Sequence, residues 1–408
     1  MSETISGDQQ AVLKPERADQ SDDRFDLFPQ AGHDTEQRCS STASSRDRCF
    51  RLKDSLSTMD LLQLLTQTPS VPGREERIRR VIQDSISAVG LFDEIRVDAL
   101  GSLIAVRKPR PAEGQPYPAK PPRVLLMAHM DQIGFLVRHI DEQGCLRLNP
   151  AGGFDPRNLF ARMVRVCTAD GDLPGVMNAS GRPIHLATEA DKKKIPEVTE
   201  FFVDCGLSAE DAKRRIRIGD MVVLDGPWHD IGHSVVSQCL DNRIGCWALI
   251  RAIENLKHHN CEIHAVWSVQ EEVGMRGAGP AAFAVDPDFA VSCDTTLCCK
   301  TPGVPDEDRV SVAGDGVCLH IMDASMMSDM GLVADFEALA QQHGIRCQRA
   351  ILPRGGQDGA AIQRSRSGVR TICLACPVKY IHTVTEMTHR DDLYSYHSLL
   401  TAWLASLG

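Results

Sequence analysis

The chain has 408 residues, 42% hydrophobic and 25% charged, the composition of a folded globular protein, which excludes bulk disorder and a collagen-like repeat. Its 45 Lys and Arg stand against 55 Asp and Glu, a net charge of −10 that argues against a nucleic-acid partner. No run approaches the ~18 uncharged apolar residues of a membrane span, so no membrane partner is expected.

The N-terminus, Met1-Ser2-Glu3-Thr4, lacks the basic and apolar regions of a secretory signal. The 15 cysteines are scattered, without zinc-finger spacing, and read as reduced thiols in a cytoplasmic protein. Residues 1–55 are polar, mixed in charge and rich in Ser, Asp, Gln and Arg. Such a segment buries too little surface to offset its ordering entropy, so a disordered extension is expected.

The fold is expected to begin near Ser57, with an amphipathic helix opening at Asp60. Ile78, Val81, Ile82, Ile86 and Val89 then repeat with helical period over residues 75–89. Residues 94–106 read as a hairpin, and the proline-rich stretch 108–123 as an extended surface loop.

Four apolar runs follow, at 124–128, 263–269, 289–293 and 369–375. Continuous runs of this length read as strands buried on both faces, as in a parallel sheet covered by helices. Helical stretches at 244–256 and 332–343 alternate with them. Between about 134 and 228 helical periodicity nearly vanishes, apart from one short helix opened by Ser208 and Asp211, and short β-like runs take over. The expectation is an α/β fold with a mixed, mainly parallel sheet sandwiched by helices, carrying a small inserted all-β domain. The catalytic domain then comprises residues 56–133 and 229–408, and the insert residues 134–228.

Open α/β sheets place their ligands beyond the carboxyl ends of the strands. Three of the four runs end directly in metal-capable side chains: His129 and Asp131, Glu271 and Glu272, and Asp294. Asp241 precedes a helix, where it is first a plausible N-cap. His382 lies in the loop after the fourth run. Two imidazoles with several carboxylates suit Zn²⁺, Co²⁺ or Mn²⁺, and a carboxylate can bridge two such ions. In an adjacent pair such as Glu271-Glu272, one residue can ligate metal while the other faces substrate as general base. Asp131, two residues from His129, could hold the second imidazole N–H. The Gly-rich turn 355–359 lacks phosphate-loop order and reads as a tight connection. No G-x-S-x-G is present, which disfavours a serine hydrolase.

Residues 57–407 resemble the glutamyl aminopeptidase and tetrahedral (TET) aminopeptidase family of dinuclear metallopeptidases, some of whose members carry an endoglucanase label. The resemblance lies in Ala128-His129-Met130-Asp131 with Ile133-Gly134-Phe135, in Leu240-Asp241-Asn242-Arg243-Ile244-Gly245, and in Gln270-Glu271-Glu272-Val273-Gly274. Asp294-Thr295, Gly356-Gln357-Asp358 and Tyr380-Ile381-His382 follow in the same order. The resemblance implies two divalent ions, Zn²⁺ or Co²⁺, per subunit. His129 would bind one and His382 the other, Asp241 would bridge them, and Glu272 and Asp294 would complete the sites. Glu271 would be the general base and Asp131 would orient the site. Peptides would be trimmed from the N-terminus. The insert would form dimers within a homo-oligomer, either a dimer or a dodecameric shell. Gln132, Gln357, Lys379 and Thr383 depart from the family pattern without removing a ligand, and bear on pocket chemistry. Two other readings are a glycan hydrolase, which normally needs two carboxylates and no metal pair, and a dinuclear deacylase or dipeptidase.

Overall fold

The computed structural model describes residues 58–407; the extension expected over 1–55 lies outside the described residues. The helices are α1 (Thr58–Thr66), α2 (Glu76–Val89), α3 (Glu189–Lys193), α4 (Ala209–Arg215), α5 (Leu240–Asn255), α6 (Ala278–Val285), α7 (Met330–His343), α8 (Gly359–Gln363) and α9 (Arg390–Ser406). The strands are β1 (Glu94–Val97), β2 (Leu103–Arg107), β3 (Arg123–His129), β4 (Gly134–Ile140), β5 (Leu146–Ala151), β6 (Arg162–Thr168), β7 (Gly171–Ala179), β8 (Phe201–Asp204), β9 (Met221–Leu224), β10 (His229–Ile231), β11 (Ser234–Ser237), β12 (Glu262–Ser268), β13 (Phe289–Leu297), β14 (Val317–Met322), β15 (Cys347–Ile351), β16 (Arg370–Val378) and β17 (Glu386–His389).

The local reasons are direct. In α2, Ile78, Ile82 and Ile86 recur every four residues and are buried, and Gly90 ends the helix at φ 64°. Helix α5 is buried nearly all round, from Leu240 to Ile253, as expected of a helix enclosed by other elements. The four apolar runs become β3, β12, β13 and β16.

The main sheet has eight strands in the order β1-β2-β12-β3-β13-β16-β14-β15. Its four central strands, β12, β3, β13 and β16, are mutually parallel. β14 pairs antiparallel with β16, and β2 antiparallel with β12, so the sheet is mixed. The sequence reading lacked β14 and β15. His320 interrupts the apolar run of the first, and Gln348 and Arg349 sit within the second. Alternation along β3 sends Val124, Leu126 and Ala128 into one apolar cluster with α5 and α9. Leu125 and Met127 join a second cluster with Ala278, Ala281 and Ala282 of α6.

Between β3 and β10, the strands β4-β5-β8-β7-β6-β9 close into an antiparallel barrel. Its interior is filled by alternate residues such as Phe135, Val137, Leu146, Leu148, Val164, Val166, Phe201, Val203 and Val222. Ser208 caps α4 as expected, accepting the amide N–H of Asp211. Helix α3 was not anticipated. It has five polar or small residues, Glu-Ala-Asp-Lys-Lys, and no buried face, so no apolar period announces it; Thr188 and Asp191 form its capping box. A third, small sheet pairs β10, β11 and β17 and fixes Glu386 at its end. No helix among the described residues is long and apolar enough to cross a membrane.

Leu126 is fully buried at the centre of β3. Leu126→Ala should lower stability by about 2–5 kcal/mol, the range for a core truncation with partial collapse. Val89→Ala, at a residue 59% exposed, should stay within about 0.5 kcal/mol. Urea unfolding of the two variants, followed by tryptophan fluorescence, checks the contrast.

Candidate metal centre

Because β12, β3, β13 and β16 run parallel, their carboxyl ends share one edge of the sheet. Ser268 lies opposite His129. Ser292 lies opposite Met127, so two residues on Asp294 is level with His129. The loops after β12 and β16 bring Glu271, Glu272 and His382 to that edge, and Asp241 enters from the start of α5.

The geometry at the start of α5 explains the Asp-Asn-Arg-Ile-Gly run. Asp241 and Asn242 have non-helical backbone angles. Asn242, rather than Asp241, caps the helix: its Oδ1 accepts the Gly245 N–H at 2.9 Å while its Nδ2 donates to the Cys293 carbonyl at 2.8 Å. A Cβ on Gly245 would lie 2.4 Å from Asn242 Oδ1 and 2.5 Å from the Cys293 oxygen, so only glycine fits there. Relieved of capping, the Asp241 carboxylate faces the site. The buried Arg243 guanidinium donates to the carbonyls of Met130 and Thr68, to Ser70 Oγ and to Gln132 Oε1, fixing the loop after His129.

Two donor groups result. His129, Asp241 and Asp294 form one, and Asp241, Glu272 and His382 the other. Asp241 Oδ1 is 3.5 Å from His129 Nε2, and Asp241 Oδ2 is 3.3 Å from His382 Nε2. His129 Nε2 lies 3.8 Å from Asp294 Oδ1, and His382 Nε2 lies 3.6 Å from Glu272 Oε2. Ligands on a tetrahedral zinc at ~2.1 Å stand about 3.4 Å apart, so these separations fit such an ion. Asp241 Oδ1 is buried and has no hydrogen-bond partner among the described residues. The donors, the spacing and the orphaned oxygen all suit a cation.

Electrostatics points the same way. Burial, and then neighbouring carboxylates, push Glu271 and Asp294 well above the usual carboxylate range, although His129 opposes the shift. Burial likewise raises Glu272 to about 7. Burial lowers the basicity of His382, but Asp241 and Glu272 outweigh it and bring its pKa to about 10. Desolvation raises Asp241, yet both imidazoles hold it below its ordinary value. The largely buried carboxyl groups Asp131, Asp241, Glu271, Glu272 and Asp294 outnumber the two imidazoles that face them, and a bound cation would favour their ionised forms.

Asp131 is fully buried and accepts the backbone N–H groups of Glu271 and Glu272, both at 3.1 Å. Its Oδ1 is 3.6 Å from His129 Nδ1, whose nearer acceptor is the Asp131 carbonyl at 3.2 Å. The residue therefore holds the imidazole chiefly through its backbone and uses its carboxylate to set the Glu-Glu loop.

All seven expected site residues converge. Sequence reasoning gave no role to three further carboxylates. Glu386, 2% exposed, accepts the His382 N–H at 2.7 Å through Oε1 and the Asp241 N–H at 2.9 Å through Oε2, and burial raises its pKa to about 8. Asp358, in the turn read as a plain connection, is buried and accepts the Ser268 hydroxyl. Glu75 accepts the N–H groups of Gly73 and Gln270. No local pattern marks Glu75 or Glu386, which only the fold brings to the site; Asp358 stands within the Gly356-Gln357-Asp358 run of the resemblance but was given no role there. The flanking loops also hold Cys239, Gln270, Tyr380 and His382 at φ between 58° and 65°, a conformation that costs non-glycine residues free energy and persists where surroundings enforce it. The donors open on a cavity of about 270 Å³ that also contains Glu271.

The M42 glutamyl aminopeptidase family profile matches residues 112–399. The chain belongs to that family. It is 32% identical over 355 residues to the lysyl aminopeptidase of Pyrococcus furiosus, covering 85% of this chain and 97% of that one. It is 25% identical to the glutamyl aminopeptidase of Lactococcus lactis, covering 86% and 97%. Among solved structures, the Pyrococcus horikoshii TET1 peptidase, described as assembling into a tetrahedron or a large octahedral shell, superposes with a TM-score of 0.74 at 32% identity, covering 86% of this chain and all of that one. Members of this family are hydrolases of the aminopeptidase class, and the chain is one of them.

Asp241 is the one carboxylate common to both donor groups. If each donor group holds a divalent ion, Asp241→Ala should lower the content of both together, whereas Asp294→Ala should chiefly affect one. Metal analysis of the purified variants after equal Zn²⁺ loading distinguishes the two patterns.

Proposed function

We propose that the chain is a metal-dependent aminopeptidase that holds two divalent ions and releases N-terminal residues from peptides. The observation that carries this reading is a single carboxylate, Asp241, shared by two donor trios at the wall of a cavity that contains a further, non-shared carboxylate, Glu271. His129 and Asp294 would hold one ion, Glu272 and His382 the other, and Asp241 both. Zn²⁺ or Co²⁺ suits these nitrogen and oxygen donors. When bound, such ions polarise a peptide carbonyl and lower the pKa of a water.

The remaining work falls to the chain. Glu271 takes the water's proton and returns it to the departing amine. Asp131 holds the Glu271 backbone in place. Glu386 ties the loops of His382 and Asp241 together. The free α-amino group of the substrate is a second handle at the centre, which favours cutting one residue from the N-terminus. The names of the relatives, lysyl and glutamyl, leave the preferred side chain open.

The catalytic part would comprise residues 56–133 and 229–408. The inserted residues 134–228 would serve dimerisation, in a homo-oligomer like the shell-forming TET1 peptidase and in a cytoplasmic setting. A glycan hydrolase is not supported, since a carboxyl pair flanking a sugar needs no clustered imidazoles.

A free tetrapeptide should be trimmed stepwise from its N-terminus, its N-acetyl form should be nearly inert, and a chelator should stop cleavage until Zn²⁺ or Co²⁺ is restored. Mass spectrometry of the products decides this. Efficient cleavage of the acetylated peptide would replace an aminopeptidase with a deacylase or endopeptidase.

Glu271→Gln should keep both ions but lose at least ~10²-fold in kcat, because the amide cannot take a proton. Metal content and turnover measured on one preparation test this; loss of metal with the glutamine in place would move Glu271 into the ligand set.

A further inference from the structure

β14 and the segment after β15 build a wall of the same cavity, and the mechanism above uses neither. His320, on β14, is 2% exposed, and neither of its ring nitrogens has a hydrogen-bond partner among the described residues. β15 lies parallel to β14 with Ala350 opposite His320, so Arg354 stands four residues further along the chain, beyond the end of that strand. Arg354 lines the cavity and is exposed, which puts it at the rim, with the exposed Gly355 and Gly356 beside it. It is in none of the ion pairs or hydrogen bonds found among the described residues, whereas Arg349 and Arg370 are paired with Glu337 and Asp329.

These two side chains match the two kinds of polar group on a short peptide. Burial, only partly offset by Asp323, holds His320 down to a pKa of about 4, so the ring is neutral, with one nitrogen donating and the other accepting. That pair complements the C=O and N–H of a peptide unit. Buried polar groups in native proteins are almost always satisfied, which makes a main chain running past this wall a fitting partner. Arg354 adds a planar fork that binds a carboxylate through two parallel hydrogen bonds. With its α-amino group at the metal centre, a peptide would point its other end toward the rim, and in a short peptide that end is the α-carboxylate. A cavity of about 270 Å³ lies just under the range of pockets for drug-sized ligands, so it suits a few residues at most. The charges agree. Asp241, Glu271, Glu272 and Asp294 line the cavity and would balance two divalent ions, which leaves Arg354 as one positive charge over. A free carboxylate brought among those four acids would be repelled, and Arg354 reverses that effect at the rim.

We infer that Arg354 at the rim, with His320 along the wall, forms a subsite for the far end of the substrate, its C-terminal α-carboxylate, so that di- and tripeptides with a free C-terminus are favoured over their amides and over longer chains. This rests on the aminopeptidase reading and adds the length and the far end of the substrate to it. An acidic side chain on the first residue is the other source of a carboxylate, and the test separates the two.

The test measures kcat/KM, per mole of bound metal, for leucyl-alanine, leucyl-dialanine and leucyl-pentaalanine, each as free acid and as C-terminal amide, and for glutamyl and leucyl p-nitroanilides. It uses the Zn²⁺- or Co²⁺-loaded full chain and its Arg354→Ala, Arg354→Lys and His320→Leu variants. In the wild type the free acid of the di- or tripeptide should exceed its amide by at least ~10-fold, the size of a hydrogen bond to a charged group, while the longest pair should be cut alike. Arg354→Ala should erase the acid-over-amide ratio, and Arg354→Lys should restore part of it. His320→Leu should slow short acids and amides by a similar factor, because His320 meets the main chain. A purely structural defect would lower every substrate and leave the ratio untouched. Equal rates for acid and amide in the wild type, an Arg354→Ala variant that keeps the ratio, or a His320→Leu variant with undiminished rates would overturn the inference and leave the aminopeptidase reading standing. An Arg354→Ala effect on the glutamyl-to-leucyl anilide ratio, with the acid-to-amide ratio unmoved, would assign Arg354 to a side-chain carboxylate and overturn it too. Inactivity of the loaded wild type on every peptide and anilide would sink both readings.

Discussion

A carboxylate facing two imidazoles from its two oxygens is the constraint around which this molecule is arranged. Asp241 must present Oδ1 toward His129 and Oδ2 toward His382, residues that arrive from opposite sides of the barrel segment in the sequence. A one-residue shift at the start of α5 would turn that carboxylate away. The neighbourhood reads as a set of devices against such a shift: the Asn242 cap, the absence of a Cβ at Gly245, and the Glu386 carboxylate gripping the Asp241 and His382 amides together.

The charge balance follows from the same arrangement. Glu271, Glu272, Asp294, Asp358 and Glu386 are all raised, each first by burial. Concentrating carboxylates in a low-dielectric site is unfavourable by itself, because each disfavours ionisation of the next. Bound positive charge would offset that cost, and the φ values of Cys239, Gln270, Tyr380 and His382 indicate that the fold also spends some stability on shaping the loops around them.

The barrel shows how a second architecture fits into the first without disturbing it. The chain leaves β3 at His129 and begins β4 at Gly134, so the barrel starts within five residues of the His129 imidazole. Gly134 is needed at that junction: a Cβ there would lie 2.3 Å from Val71 Cγ1 and 2.9 Å from the Val222 carbonyl. Arg243 then braces the intervening residues through the Met130 carbonyl and Gln132. The seam between barrel and sheet is thus held by the chain that carries the site.

By itself, the sequence determined the parallel core and the barrel segment, and it singled out seven residues that the structure brings to one edge of the sheet. Each has a one-dimensional signature. Buried parallel strands read as unbroken apolar runs, barrel strands as alternation without helical period, and strand ends as the places where His129, the Glu271-Glu272 pair and Asp294 stand. Other features have no such signature. Whether Asp241 caps a helix or faces the two imidazoles depends on Asn242 taking the cap, which shows only once Gly245 and Cys293 are in place. Glu75 and Glu386 follow no pattern and Asp358 had no role in its quoted run; they matter because folding buries each against a different loop of the site, at Gln270, Ser268 and the Asp241 and His382 amides. Strands β14 and β15 were hidden because polar residues interrupt them, and one of those, His320, is buried against the cavity. Periodicity records which face of an element is apolar. It carries no information about which polar groups meet once the elements pack, and that meeting was decided by the tertiary structure alone.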